Sequence, residues 1–348
     1  MSDTPGTSAR WNLRRALENW GALLALALLV AFSAWRSDDF LKAENLLNIL
    51  LNVSFVGIIA VGMTLVIIMG GIDLSVGSMT AFIGGMTILA LNKFWNATHS
   101  QTIALLASVG TALCLGPLLG LLNGAMISFG RVAPFVATLG AMAAWRSASL
   151  AIADGGQYSA RTSASYADAA DTGVPAFRYF GQEGIPLPFL GEHAKLWWPI
   201  VIFLLVAAAG QVALSLTRYG RYVYAVGCNE RAAVYSAINV RAVKLTTYVV
   251  IGLTCGIAAL LRASQQESIS SAQTGTLYEL DAIAAVVIGG TSMAGGRGRV
   301  AGTVIGVLIL GVVDNMLNLL QVSSYWQGAV KGAIIVAAVL LQRGRPGP

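Results

Sequence analysis

The residues of this sequence that could do chemistry are polar side chains inside apolar runs, and Asp73 is the first of them. It follows Gly70 and Gly71 at the end of the apolar run 46–69. An ionised aspartate at the centre of a membrane helix is disfavoured by roughly 2.5–3.5 kcal/mol, so such residues usually face a bundle interior or a water-filled path. Asp73 therefore lines a solute path, caps a helix, or lies near a helix end without deep burial. Its Gly-Gly and Ser75 neighbours favour the cap.

Asp314 raises the same question, because it lies within the apolar run 300–320. Polar residues in membrane helices either line a path or hydrogen-bond to neighbouring helices, and the sequence leaves both roles open for each of them. The candidate path-lining residues are Asn52, Ser54, Thr64, Asp73, Asn123, Asp314, Asn315 and Asn318.

The composition is typical of an integral membrane protein. Hydrophobic residues make up 56% of the chain and charged residues 11%, against roughly 25% charged in soluble domains. A bilayer crossing needs about 20 apolar residues, and such runs recur along the chain. We predict an all-α polytopic membrane protein with about ten transmembrane helices, some broken or short. The arginines behind the net charge of +6 then orient helices in the lipid bilayer, and no nucleic acid partner is expected.

The apolar runs set the predicted domain boundaries. A polar tail at 1–20, expected to be disordered, precedes a single transmembrane domain at 21–342, and a short tail follows at 343–348. The run 277–290 is too short to cross and is interpreted as a half-helix. The other predicted spans are 21–35, 46–69, 76–91, 102–129, 134–152, 196–216, 245–261, 300–320 and 325–341. Within the span 102–129, glycines at four-residue spacing predict close helix contact.

The distribution of positive charge predicts the orientation. Arginine and lysine concentrate in both tails and in the loop 217–244, so the positive-inside rule places these segments in the cytoplasm. The long polar segment 154–195 then lies outside. Loops of this length are usually functional or disordered, and we interpret this one as a partly ordered element that meets a partner or covers an entrance.

The sequence contains no motif for catalysis or for a resident cofactor. A phosphate-binding Gly-x-x-x-x-Gly-Lys-Ser/Thr loop is absent, so the chain supplies no nucleotide site of that kind. The three cysteines lack paired spacing and the two histidines lie far apart, which argues against a disulfide framework or a metal site. We predict that the chain is not an enzyme, and that a separate ATPase or an ion gradient would power any pumping.

The loop 217–244 contains a predicted short amphipathic helix. Asn229 is its expected N-cap, and Glu230 is favourable in its first turn. Such a helix has the right size to dock into a partner's groove, although an ordinary solvated loop is an equal alternative on physical grounds. The candidate docking residues are Gly227, Asn229, Glu230, Ala232, Ala233, Tyr235 and Ile238.

Three blocks of sequence resemble the ribose-type permeases of bacterial ABC sugar importers, in the branched-chain amino acid/ribose permease family. The likeness runs from about residue 46 to residue 341, and the blocks occur in the family's order. They are Gly62-Met-Thr…Gly70-Gly-Ile-Asp-Leu-Ser-Val-Gly-Ser78, Tyr219-Gly-Arg-Tyr222…Gly227-x-Asn-Glu-x-Ala-Ala233, and Tyr278-Glu-Leu-Asp through Gly-Gly-Arg-Gly-Arg299.

The resemblance implies a permease subunit that imports a monosaccharide, such as a ribose-like pentose, a hexose or a related polyol, across the bacterial inner membrane by alternating access. It implies a second permease copy, in a homodimer or heterodimer, a cytoplasmic ATPase that uses ATP and Mg, and a periplasmic sugar-binding protein. The chain itself would bind no cofactor, and the segment 227–239 would be the coupling helix. The segment 154–195 would be periplasmic, and it departs most from the family pattern, as a variable insertion would.

Two alternatives remain. One is a permease for an amino acid or another small solute within the same ABC class. The other is an ion-coupled secondary transporter, whose broken helices near the midplane would fit the breaks at Gly70-Gly71 and Gly289-Gly290. A secondary transporter has no need of a cytoplasmic docking helix, so the segment 227–239 argues against it.

Overall fold

Apolar runs form the long helices of a bundle in the computed structural model, which describes residues 6–160, 174–190, 194–323, 326–333 and 336. Residues 326–333 are also helical. The numbered helices are α1 (Gly6–Arg36), α2 (Ala43–Ile68), α3 (Val76–Thr98), α4 (Gln101–Ser128), α5 (Pro134–Ile152), α6 (Tyr179–Gln182), α7 (Trp198–Leu216), α8 (Arg218–Cys228), α9 (Glu230–Tyr235), α10 (Val240–Gln266), α11 (Tyr278–Ile288) and α12 (Val300–Leu319).

Six helices in the described part of the chain are long and apolar enough to cross a membrane: α2, α4, α5, α7, α10 and α12. The apolar part of α1, Gly21–Arg36, is shorter. With 11 residues, α11 is only about 16 Å long, so it cannot cross a hydrocarbon core of about 30 Å. The half-helix prediction is therefore confirmed. The count of about ten crossings, the position of the termini and the domain boundaries stay predictions.

Helix α2 lies at the centre of the bundle. Its residues from Val53 to Ile68 are buried, with the exception of the half-buried Val56, because other helices surround it. It packs against α7, α10, α11 and α12. The elements around α2 therefore determine which of its polar residues reach an open space.

The glycine stripe of α4 packs directly on α10, as the spacing predicted. A Cβ added at Gly116 would overlap the carbonyl oxygen of Gly252, and one at Gly120 would overlap that of Tyr248. Only small residues permit this backbone approach within a membrane. The α4–α10 contact holds α10, and with it Tyr248, close to the break between α2 and α3.

Two short strand pairs add a small β component to a fold predicted to be all-α. The strands are β1 (Gln157–Ser159), β2 (Gly184–Pro186), β3 (Lys195–Trp197) and β4 (Ser268–Ser270). β1 pairs antiparallel with β4, with Tyr158 opposite Ile269, and β2 pairs antiparallel with β3, with Ile185 opposite Leu196.

The described parts of the segment 154–195 are ordered and packed on the bundle. Two 3₁₀ turns, Pro175–Arg178 and Pro188–Leu190, flank α6 and β2. Arg178 pairs with Glu267 at 2.6 Å, and Gln182 donates to the Gln265 carbonyl at 3.0 Å. These contacts fix the segment to the end of α10. Residues 161–173 and 191–193 lie outside the described part.

Two sequence predictions about boundaries were wrong, and a third is not tested. The tail 1–20 is helical from Gly6 onward, because its arginine, leucine, alanine and glutamate residues favour helix. The span predicted at 245–261 begins at Val240, where Asn239 caps α10 by accepting from the Ala242 amide at 3.1 Å. The span predicted at 325–341 falls partly outside the described residues, which contain only 326–333 and 336 of it.

Candidate functional site

The break between α2 and α3 carries a buried polar cluster centred on Asp73. Gly70 adopts φ +89°, a conformation that favours glycine, and it turns the chain out of α2. Asp73 is fully buried. One carboxylate oxygen accepts from the Ser75 amide at 2.8 Å and from the Ser75 hydroxyl at 2.6 Å. Asp73 thus holds Ser75, the N-cap residue of α3, but it accepts from no amide within the helix, and α3 has no side-chain cap hydrogen bond.

Asn123 joins this cluster from α4. Its side-chain amide donates to the Ser75 hydroxyl oxygen at 2.9 Å and lies 3.4 Å from the second Asp73 oxygen. The Tyr248 hydroxyl of α10 donates to the Ile72 carbonyl at 3.2 Å. Three helices therefore meet around the Asp73 break through hydrogen bonds within the protein.

Ser54 and Thr64 are bonded inside the bundle. The Ser54 hydroxyl donates to the Leu50 carbonyl of its own helix at 2.6 Å. The Thr64 hydroxyl donates to the Ala60 carbonyl at 2.7 Å and lies 2.7 Å from the hydroxyl of Thr303 on α12. Both residues are fully buried, and their contacts are those of helix packing.

The other four candidate residues border one cavity of about 330 Å³, which we call the α2–α12 cavity. It lies among α2, α11, α12 and the helical residues 326–333. Its apolar wall includes Ile49, Val53, Val56, Ala285, Val307 and Leu310. Its polar lining consists of Asn52, Asp281, Asp314, Asn315, Asn318, Gln327 and Lys331.

Charge in this cavity is concentrated in three residues, which we call the Lys331 triad: Lys331, Asp281 and Asp314. The Lys331 Nζ lies 2.9 Å from Asp314 Oδ2 and 3.4 Å from Asp281 Oδ2. Asp314 Oδ1 is buried and has no hydrogen-bond partner among the described residues. The triad therefore contains one buried carboxylate oxygen that has no donor among the described residues.

Two of the asparagines are already paired. The side-chain amides of Asn315 and Asn45 exchange hydrogen bonds at 2.7 and 3.1 Å, which link α12 to the start of α2. The Asn318 oxygen accepts from Gln327 at 2.9 Å. No hydrogen bond joins the Asn52 side chain to another described residue. Asn52, Asp314 and the amide nitrogen of Asn318 thus have hydrogen-bonding capacity that the described residues do not use.

Sequence reasoning missed Lys331, Asp281 and Gln327. The signal for Lys331 was present, because it is the one charged residue in the predicted span 325–341, and a charge within a membrane span indicates a function by default. Asp281 lies inside the third sequence block, but nothing in its local sequence shows which side chain it would meet.

The predicted docking helix is present as α9. Asn229 is its N-cap, accepting from the Ala232 amide at 3.0 Å, which confirms the cap prediction. Glu230 pairs with Lys244 at 2.7 Å. Tyr235 is 90% exposed, whereas Ala233 is 3% exposed. Ala233 therefore packs beneath α9 and is not available on its exposed face, contrary to the docking surface expected from the sequence.

The remaining candidate docking residues lie around α9. Ala232 is exposed and Ile238 is half-buried. Gly227, near the end of α8, packs against the end of α2, where an added Cβ would overlap the Ile68 carbonyl oxygen and lie 2.7 Å from the Gly296 amide nitrogen. Gly227 therefore contributes to packing and not to an exposed surface.

The three sequence blocks converge at this point, which we call the three-block junction: residues 68–71, 224–228 and 295–298. The Gly296 amide donates to the Ile68 carbonyl at 2.8 Å. The Tyr224 hydroxyl donates to the Gly298 carbonyl at 2.7 Å. Burial raises the pKa of Tyr224, so its hydroxyl keeps the proton that it donates. The junction connects α9, through α8, to the end of the central helix α2.

Comparison with known proteins matches the chain to one permease family and to sugar permeases. The family described as "Branched-chain amino acid transport system / permease component" matches residues 45–339. The chain is 42% identical over 322 residues to the ribose import permease protein RbsC of Escherichia coli (strain K12), covering 92% of each chain. It is 38% identical over 337 residues to the ribose import permease protein RbsC of Bacillus subtilis (strain 168), covering 94% of this chain and 93% of the relative.

A permease for a different sugar is also similar. The chain is 33% identical over 360 residues to the xylose transport system permease protein XylH of Escherichia coli (strain K12), covering 91% of this chain and 89% of the relative. No solved structure matches the chain.

Proposed function

The chain belongs to the family of permease components of branched-chain amino acid transport systems, and we propose that it is the membrane subunit of an ATP-driven importer that carries a monosaccharide into the cytoplasm. The observation that carries the proposal is the likeness to ribose import permeases, which extends over nearly the whole of both chains. A small neutral sugar also suits a bundle whose polar residues are mostly amides and hydroxyls.

An importer of this kind needs further subunits besides this chain. We propose a second permease copy, a cytoplasmic ATPase that uses ATP and Mg, and a periplasmic sugar-binding protein, assembled in the bacterial inner membrane. Both termini and the loop 217–244 then face the cytoplasm, in agreement with their positive charge. In this arrangement the described part of 154–195 lies on the periplasmic side.

The proposed contact with the ATPase is α9. Its exposed Val234 and Tyr235 would enter a groove on the ATPase, and Asn229 holds the start of the helix in place. Movement of α9 would reach α2 through the three-block junction. This is a specific route for coupling ATP hydrolysis to the helices that flank the sugar path.

The sugar path is proposed to involve the α2–α12 cavity rather than the Asp73 cluster. The cavity is an open space lined by polar groups, some without partners among the described residues, whereas Asp73 is fully buried and bonded to Ser75 and Asn123. An amino acid permease of the same class is the alternative function, and the name of the matching family favours it. The ribose and xylose permeases among the relatives favour the sugar.

Uptake in cells tests the proposal. The chain is expressed with its ATPase and binding protein in a bacterial strain that lacks its own pentose importers. We expect uptake of radiolabelled D-ribose or D-xylose that disappears when this chain is omitted. Uptake of radiolabelled leucine in place of both sugars would contradict the proposal and support the amino acid alternative.

A further inference from the structure

The α2–α12 cavity contains hydrogen-bonding groups that the described residues leave unused. Asp314 Oδ1 is buried without a partner among the described residues. An ammonium group has three N–H donors, and Lys331 directs two of them at Asp281 and Asp314. Asn52 lines the same cavity without a described hydrogen bond. Asn52 is exposed, so its side-chain amide and the third N–H of Lys331 face the cavity with hydrogen-bonding capacity that a ligand can use.

The shape and chemistry of the cavity restrict that ligand. Its volume of about 330 Å³ lies at the lower end of the roughly 300–1,000 Å³ typical of small-molecule pockets, which suits one sugar ring. The apolar wall formed by residues such as Ile49, Val53 and Leu310 can pack against the C–H groups of a ring. The opposite polar groups can bind its hydroxyls.

The charges argue for a neutral ligand. Lys331 contacts both carboxylates, so a metal ion bound between them would have to displace it. Lys331 is also the only basic residue among the described lining residues, and both of its carboxylate partners compete for it. A zwitterionic amino acid would therefore have to break the triad to bind its own carboxylate. A hydroxyl needs no such exchange, because it can accept from the third N–H of Lys331 and from the exposed Asn52 amide.

The position of the cavity suits capture before transport. It lies among the first part of α2, the start of α11 and the end of α12. The start of α11 follows β4, which pairs with β1 from the segment 154–195. This is the same end of the bundle as that segment, and it is opposite the three-block junction.

We propose that the α2–α12 cavity is the site in which this permease first holds its monosaccharide, with Asp314, Lys331 and Asn52 binding the sugar hydroxyls. The inference rests on the proposed function and adds a place and residues to it. Asp281 is a positioning residue that holds Lys331 toward Asp314.

The test uses the whole importer, with permease, ATPase and sugar-loaded binding protein in proteoliposomes. Radiolabelled D-ribose and D-xylose moved per ATP hydrolysed are measured for wild type, Asn52→Ala, Asp314→Asn and Lys331→Met. Each variant should lower this ratio by about tenfold, as expected when a hydrogen bond to a charged or buried group is lost. The ATPase activity stimulated by the binding protein should stay near the wild-type value, because α9 and the junction are untouched.

Matched controls carry the same chemical changes elsewhere. Asn96→Ala alters an exposed asparagine of α3, and Asp39→Asn and Lys42→Met alter an exposed ion pair. All three should transport as wild type does. Asn52→Ala is the decisive variant, because it leaves no described partner unpaired and is expected to fold normally even if a triad variant does not assemble.

The outcomes separate this inference from the function on which it rests. If wild type moves sugar and Asn52→Ala moves it equally well, the site assignment is wrong while the proposed function stands. Loss of transport in the triad variants alone would show an ion pair that fastens residues 326–333, and it would likewise overturn the assignment. If wild type moves neither these pentoses nor a hexose, the proposed function itself fails.

Discussion

Asp73 has a structural explanation in its own hydrogen bonds. Removing its carboxylate in Asp73→Ala leaves the Ser75 amide and hydroxyl without their acceptor, at a cost of about 1–3 kcal/mol for each buried group left unpaired. We expect a clear fall in the melting temperature of the purified permease. The melting temperature of Asp73→Asn, which keeps an oxygen acceptor, should fall less. That of Asp39→Ala, a change at an exposed residue, should stay at the wild-type value. A normal melting temperature with lost transport would instead indicate a solute contact.

Single residues could be predicted where the signal was local. The Gly-Gly pair before Asp73 indicated the break between α2 and α3, and Asn229 before Glu230 indicated the start of α9. Thr64 could not be separated from path residues, because its partner Thr303 lies on α12, and the sequence does not show which helix faces it. The triad was missed for the same reason, since its members come from α11, α12 and residues 326–333.

At the level of elements, the three-block junction depends on a glycine at residue 227. A side chain there would overlap the Ile68 carbonyl oxygen at the end of α2. We expect Gly227→Ala to separate α8 from α2, lowering both the melting temperature and the sugar moved per ATP hydrolysed. Gly140→Ala is the matched control, because a Cβ at that α5 position meets nothing within 4 Å. Equal behaviour of the two variants would show that the junction is not closely packed.

The exposed face of α9 is tested by Tyr235→Ala. If this helix docks in the ATPase, loss of a 90% exposed tyrosine should weaken assembly of the permease with the ATPase by about tenfold, as for an aromatic contact at the centre of an interface. The stability of the permease alone should not change. Tyr179→Ala removes another exposed tyrosine, from α6, and should leave assembly intact. A pull-down of the ATPase with each variant measures the difference.

Helices and their contacts were predicted well where the length of an apolar run, a break within it or the spacing of its glycines determines them. The Gly70-Gly71 break, the short α11 and the close α4–α10 contact all follow from composition and spacing. The helical tail in α1 and the pairing of β1 with β4 did not, because the tail's helix formers were overlooked and the pairing joins residues more than a hundred positions apart in the sequence.

For the whole molecule, the structure separates two regions that transport would have to connect. The α2–α12 cavity lies at one end of the bundle and the three-block junction at the other, and the central helix α2 contributes to both. Alternating access requires a two-state element that both ends can bias. We infer that α2 is that element, since motion of α9 and closure around a sugar would each shift it.

The central claim, that ATP hydrolysis drives monosaccharide import through this chain, is tested most directly by uptake of radiolabelled D-ribose and D-xylose into proteoliposomes that contain the whole importer. The account predicts accumulation that requires ATP on the side of the ATPase and the sugar-loaded binding protein on the other side, and that persists when ionophores collapse proton and sodium gradients. Accumulation that needs an ion gradient and proceeds without ATP would contradict it.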